Sequence, residues 1–504
     1  MKKTAFILIT IFAVLLIVFI LAEIAARLIW TGKPPVPAEA SKYPYHPDAD
    51  NSVSYVLLPD FAYENGFILT DKNGFRIDRG TTVKKPEGTY RIVFLGDSLI
   101  LGTRAKIHKT IAKIVENGLN TLQYKSSGKI EVLNFGMPGH NIRQYLAVLK
   151  KYALKYNPDA IYVGVSIFND LDGQFIEYLG NGYLTRRSVH TVHGINYESK
   201  PPGWLEWNSY LLRFLYYAKN EARGADKKSG EGGRIEGKVR KYLPASCDAA
   251  DSIWREVREN MSEIRSIAEK RNAQLQVLIF PSTAQIEYPD LPRAPQKILG
   301  GILKELGIHY HDFYDEYAFA KEKTGKLPYR DTSSHPDDWM YSYIGFSIRD
   351  EFAWTNLGRP ENDFRAEINL GDKGDVKYLS FGWADREKLG DAGFRWIASA
   401  KARVIFNNFQ KEIKSIKVVC FPFDQCPGQA LSFSLNGMEL GTVKIDKPGR
   451  IADYTLILDE PIPLQNFNAL DLTPGCVKQA PGDAESLIIT PRMISVAVDK
   501  IILR

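Results

Sequence analysis

The sequence predicts a doubly wound α/β domain with a parallel sheet, followed by an all-β module and preceded by an apolar helix. Three observations carry this. "YRIVFLG", "IEVLNFG", "AIYVGVSIF" and "QLQVLIFPS" are short, nearly continuous apolar runs rich in β-branched residues, as strands buried on both faces of a parallel sheet require. Amphipathic segments alternate with them, which is the α/β signature. Past residue 357 the pattern changes to period-2 alternation broken by turn residues, which predicts a β-sandwich of jelly-roll type.

Taken in order, Lys2 and Lys3 precede an apolar run from Ala5 to Ala22. That is longer than the core of a secretory signal and close to the ~20 residues that span a bilayer. Ala22-Glu23-Ile24-Ala25 is a poor cleavage site, because apolar sequence resumes after it. The expectation is an uncleaved single-pass anchor over residues 1–31, with the lysines on the cytoplasmic side. The remaining chain is then periplasmic, on the outer face of a cell inner membrane. Residues 32–89 read as an extended, proline-rich tether and lead-in.

The α/β domain is expected over 90–357. "HKTIAKIVENGLNTL" sets Ile111, Ile114, Val115 and Leu119 at helical spacing, and a later segment does the same with Ile253, Trp254, Val257, Met261, Ile264 and Ile267. Residues 173–245 lack a βα unit and read as an insertion that borders or covers the site. Over 358–504, "ALSFSLNGMELGTVKI" carries an Asn436-Gly437 hairpin signal.

Composition excludes little. The 504 residues carry 65 basic and 59 acidic side chains, a net +6 spread along the chain, which gives no reason to invoke nucleic acid. Four cysteines fit an oxidising compartment. Cys420 with Cys426 is one possible pair, and Cys247 or Cys476 with either is another. No Cys-x-x-Cys or Cys/His spacing suggests zinc, and neither metal nor organic cofactor is expected.

The chemistry begins at "RIVFLGDSLILG", where Gly96-Asp97-Ser98 interrupts an apolar run. Roughly one chain in ten of this length carries that triplet by chance. Ser98, however, directly follows a predicted buried strand, where α/β sheets expose working groups. A serine nucleophile needs a base oriented by a carboxylate, and donors for the oxyanion. Of eight histidines, His335 in "YRDTSSHPDDWMYSYIG" is the best base, with Asp331 four residues upstream. His309 and His311 read as a structural pair. His140, next to Gly139 at a strand end, is a possible substrate contact. Asp97 and Asp170 read as turn anchors.

"GDSLILG", "NFGMPGHN", "IFND" and "DTSSHP" stand in the order and approximate spacing of the four blocks of the SGNH/GDSL hydrolase superfamily, which residues 71–352 thus resemble. The lead-in from Asp71 resembles membrane-anchored members. The resemblance implies a catalytic Ser98, His335 and Asp331. It also implies an oxyanion hole from the backbone N–H groups of Ser98 and Gly139 and the Asn169 side chain. Two departures stand out. Three residues, rather than two, separate Asp331 from His335, so Asp337 or Asp338 can compete for the orienting role. Ile167 also stands where the third block usually has glycine.

The expected activity is an extracytoplasmic serine esterase removing O-acyl groups, chiefly O-acetyl, from a surface polysaccharide. Trp383 and Trp396 of the β-module are candidate sugar contacts. Alternatives are O-acetyl transfer through the same site, lipid ester hydrolysis, and a non-catalytic carbohydrate-binding or assembly protein. Expected partners are the membrane, a glycan, and proteins of polysaccharide biosynthesis or export.

Overall fold

A computed structural model describes the chain apart from residues 1, 30–44, 51, 64–67, 104, 122–127, 168–169, 172–173, 179–183, 189–190, 193–194, 197–208, 210, 213–247, 290–292, 331–333, 354, 356–365, 373, 376–377, 408–409, 427, 448, 466 and 480–492. Two compact units divide it. One joins Met1–Pro59 to Asp172–Glu256, and the other joins Asp60–Leu171 to Val257–Arg504.

In the first unit, α1 (Lys2–Ile29) is a single apolar helix, and its stretch Ile9–Leu28 is long and apolar enough to cross a membrane. Further along, Tyr45–Pro47 and Tyr55–Leu57 form a short antiparallel hairpin.

The second unit opens with a lead-in that is stitched to the sheet by two buried arginines. Arg91 lies at 0% exposure; its guanidinium pairs with Glu131 at 2.8 Å and donates to the carbonyls of Thr82, Val83 and Tyr156. Arg76 donates to the carbonyls of Leu101, Gly102 and Ala105.

The sheet follows. Its strands are β1 (Tyr90–Gly96), β2 (Ile130–Gly136), β3 (Ala160–Ser166), β4 (Gln274–Phe280) and β5 (His309–Asp312). They are parallel, in the order β5-β4-β3-β1-β2. The direction of winding therefore reverses between β1 and β3, and ligands of such sheets bind outside the carboxyl ends at that reversal. The helices are α2 (Ser98–Leu101), α3 (Ile111–Thr121), α4 (Ile142–Lys151), α5 (Asp248–Lys270), α6 (Thr283–Glu287), α7 (Ala294–Glu305), α8 (Tyr314–Thr324) and α9 (Asp338–Phe352). The α3 stripe is buried as its periodicity requires, and so are five of the six residues singled out in α5. Ile267 is half-buried, and Ala268 takes the core position beside it.

The β-module contains β6 (Glu367–Asn369), β7 (Trp383–Leu389), β8 (Ala392–Ile397), β9 (Ala402–Asn407), β10 (Glu412–Pro422), β11 (Ala430–Leu435), β12 (Met438–Lys444), β13 (Ala452–Pro463), β14 (Phe467–Pro474) and β15 (Val496–Leu503). Two antiparallel sheets, β7-β8-β15-β10-β13 with β6 against β15, and β9-β14-β11-β12, enclose one apolar core. Asn436 (φ 52°) and Gly437 (φ 84°) make the β11–β12 turn, the left-handed pair that a tight hairpin needs.

Cys426 and Cys476 form a disulfide, leaving Cys420 a buried thiol. The 50-residue separation predicts a loss of about 4 kcal/mol for Cys476→Ser from restored chain entropy, seen as a lower denaturant midpoint under non-reducing conditions.

The module packs on α9. Ile405 and Ala469 join the core of the α/β domain beside Met340, Tyr341 and Ile344. Arg349, 1% exposed, donates to the Leu379 carbonyl, and Ser380 donates to Asp350 at 2.5 Å. The same face holds His311, which meets Glu316 at 2.7 Å and Glu351 at 3.5 Å. Burial pushes its pKa down, but the hydrogen bonds to Glu316 and Glu351 outweigh it and raise it to about 10. His311 is thus a satisfied structural histidine. Because its folded pKa lies above the unfolded value, its contribution is full below pH ~6.5 and lost as pH rises towards 10. Wild type should therefore lose its stability advantage over His311→Gln across that window. The loss is at most about 1.4 kcal/mol per pH unit, and denaturation curves at stepped pH measure it.

Candidate active site

The turn after β1 is built from close backbone packing. Asp97 caps α2, accepting the Leu99 N–H at 2.8 Å, so it anchors the turn. The short helix lies across the strand ends. A Cβ at Gly96 would sit 2.3 Å from the Ile100 side chain, one at Gly136 2.3 Å from the Leu101 nitrogen, and one at Gly164 2.5 Å from Ile100 again. Asn134 adds a buried strap, donating to the Ile100 carbonyl at 2.8 Å and accepting from Gly136. Gly102, at φ +76°, closes α2, and Arg76 holds its carbonyl.

His335 comes from a loop whose two sides pair. Tyr329 and Pro336 form a β-bridge, the Arg330 N–H donates to the His335 carbonyl at 2.7 Å, and the Tyr329 hydroxyl donates to Pro281. Ser334, in the left-handed region at φ +65°, accepts the Thr283 N–H at 2.9 Å and so fastens the loop to α6.

These two structures bring together residues 237 apart in sequence. Ser98 Oγ and His335 Nε2 lie 2.8 Å apart, both partly exposed. A hydroxyl at that distance from an imidazole nitrogen at a strand's carboxyl end can lose its proton as it attacks an electrophile.

Gly139 sits in the turn after β2 at φ +75°, partly exposed. That conformation favours glycine. The buried Asp170 accepts the Tyr145 hydroxyl and the Ser166 N–H, both at 2.7 Å. Burial, reinforced by the nearby negative Asp97, holds its carboxyl well above the usual range. The Ser166 contact closes the turn after β3, and the Tyr145 contact ties that turn to α4.

Asp331 and Asn169 lie outside the described residues. Of the competing carboxylates, Asp338 is engaged elsewhere: one oxygen meets Arg330 and the other Lys109 at 2.9 Å. Burial raises its pKa, but these two cations more than offset that and leave it low.

The structure places the three expected substrate contacts in packed surroundings. His140 is fully buried, so its ring is not presented to a substrate. Trp396 is 9% exposed within a cluster of Phe394, Phe421 and Phe423, its N–H bonded to Glu387. Trp383 donates to the Arg403 carbonyl at 2.7 Å and packs against the sandwich core. Both tryptophans serve packing, the need that an amphipathic ring in a sandwich most often meets.

Sequence alone does not disclose the roles of Asn134, Gly164 and Arg76 at this site. The glycine ending "NFG", paired with the one ending "FLG", was the available signal for the close approach of α2.

The nucleophile follows β1, the second block follows β2, the third follows β3, and the histidine follows β5. That is the order of blocks along the sheet that the sequence resemblance implies.

No family model and no curated protein matches the chain. Solved structures give matches of low identity. A lipase/acylhydrolase from Enterococcus faecalis is 16% identical, covering 54% of this chain and 99% of its own, at a TM-score of 0.31. An acetyl xylan esterase is 10% identical, covering 51% and 97%, at 0.31. A two-domain esterase active on acetylated mannans is 10% identical, covering 82% and 90%, at 0.28. The reading of the site rests on its own geometry.

Proposed function

We propose that this chain is a membrane-anchored, extracytoplasmic serine esterase that removes small O-acyl groups, acetyl above all, from a surface glycan. The 2.8 Å contact between Ser98 Oγ and His335 Nε2 carries the reading. Ser98 Oγ attacks the ester carbonyl while its proton passes to His335 Nε2. The tetrahedral intermediate then expels the alcohol, which takes that proton. Water, deprotonated by His335, next cleaves the acyl–Ser98 ester and releases the acid. The backbone N–H groups of Ser98 and Gly139, with the Asn169 amide from the third block, are assigned to the oxyanion. Asp331 is assigned to the far nitrogen of His335.

Two features support the location. Lys2 and Lys3 ahead of α1 favour a cytoplasmic N-terminus, and the Cys426–Cys476 disulfide suits an oxidising compartment. The test is acetate release from O-acetylated oligosaccharides by the detergent-solubilised full chain. Label from an acetyl donor that reappears on the sugar acceptor, with none released as acetate, overturns hydrolysis in favour of transfer.

A further inference from the structure

The apolar helix α1 carries one carboxylate, Glu23, near its end, and that group is tied to a segment 186 residues away. Its Oε1 accepts from Arg27 Nε at 2.9 Å. Its Oε2 accepts both the Ser209 hydroxyl at 2.7 Å and the Leu211 N–H at 2.9 Å. The Leu212 N–H in turn donates to Ser209 Oγ. Glu23 thus does for the Ser209–Leu212 turn what a capping side chain does for a helix start. Its side chain is 15% exposed, against 54% for Arg27. Ala22, Ala25 and Ala26 beside it are also partly covered, whereas the described residues before them are exposed. The insertion therefore belongs with the anchor in one unit.

The depth of this clasp follows from helix geometry. Ala5 to Ala22 rises roughly 27 Å at ~1.5 Å per residue, close to the ~30 Å of bilayer hydrocarbon. Glu23 therefore emerges at the far boundary of the hydrocarbon, where a carboxylate with three donors is tolerable. The sequence around the turn, "WLEWNSYLLRFLYY", is rich in tryptophan and tyrosine, the residues enriched at that boundary.

We propose that Glu23 fastens the Ser209–Leu212 turn to the lipid headgroup boundary, making that turn a second membrane contact. The ligand is a phospholipid interface met by the Leu211 and Leu212 side chains. The proposal rests on reading α1 as a retained anchor.

The test uses the full chain in phosphatidylcholine vesicles, with Leu212→Cys in a Cys247→Ser background carrying an environment-sensitive dye. Nitroxide-bearing lipids, spin-labelled near the headgroup, should quench most of the dye's fluorescence. Adding Glu23→Leu, which keeps α1 apolar, should abolish most of that quenching, and Ser209→Ala should weaken it. Covalent labelling of Ser98 by an organophosphate ester checks that each variant is folded. A dye that stays bright in a chain resisting alkaline carbonate extraction overturns the inference alone, as does quenching unchanged by Glu23→Leu. Release of the chain by carbonate overturns the anchor reading and the inference with it.

Discussion

Ser98→Ala will leave a folded protein whose turnover of a small acetyl ester is at least about 10⁴-fold below wild type. The hydroxyl is the group 2.8 Å from His335 Nε2, and no other side chain in the turn can replace it: Asp97 caps α2 and Leu99, Ile100 and Leu101 are buried. His335→Ala should be comparably severe, because an unassisted hydroxyl is a poor nucleophile at neutral pH. The double variant should be scarcely worse than either single one, since nucleophile and base act in one step. Initial rates and organophosphate labelling of the three variants check this. Labelling that persists in Ser98→Ala would place the nucleophile elsewhere, and additive losses would mean that the two residues do not act together.

How much of this was legible in the sequence depended on how local the cause was. Parallel strands buried on both faces leave continuous apolar runs, so β1 to β4 stand out. The Asn436-Gly437 turn is a property of two adjacent residues, and it formed as expected. Ser98 and His335 were legible because each sits in a block with its own turn chemistry. Where the cause lay in a distant partner, sequence was mute. Nothing near Cys426 says that Cys476, rather than Cys420, completes the disulfide. Nothing near Glu23 announces Ser209. Trp383 and Trp396 look alike whether they bind sugar or fill a core. Their N–H partners, the Arg403 carbonyl and Glu387, tie both to the sandwich. Strand position alone marks His311 as structural. The physical reason, carboxylates on α8 and α9 converging on one ring, needed the fold.

Gly136→Ala should separate the placing of Ser98 from its chemistry. Its added Cβ would fall 2.3 Å from the Leu101 nitrogen and 2.8 Å from the Ile100 carbonyl carbon. Both are backbone atoms, so no rotamer change relieves the clash and α2 itself must move. The Asn134 strap moves with it, because Asn134 joins Gly136 to Ile100. Ser98 begins that four-residue helix, whereas His335 is held independently by the Tyr329–Pro336 bridge and the Ser334–Thr283 contact. The displacement therefore falls on one partner of the pair and not on the other. A misplacement of about 1 Å at a reacting group can cost on the order of 10²-fold. The expected result is thus a fall in kcat of about that size, far smaller than for Ser98→Ala, with slowed organophosphate labelling and a cooperative unfolding transition retained. Wild-type kcat in Gly136→Ala would show that α2 has slack and that glycine is dispensable there. Loss of the cooperative transition would show that the close approach holds up the sheet as well as Ser98.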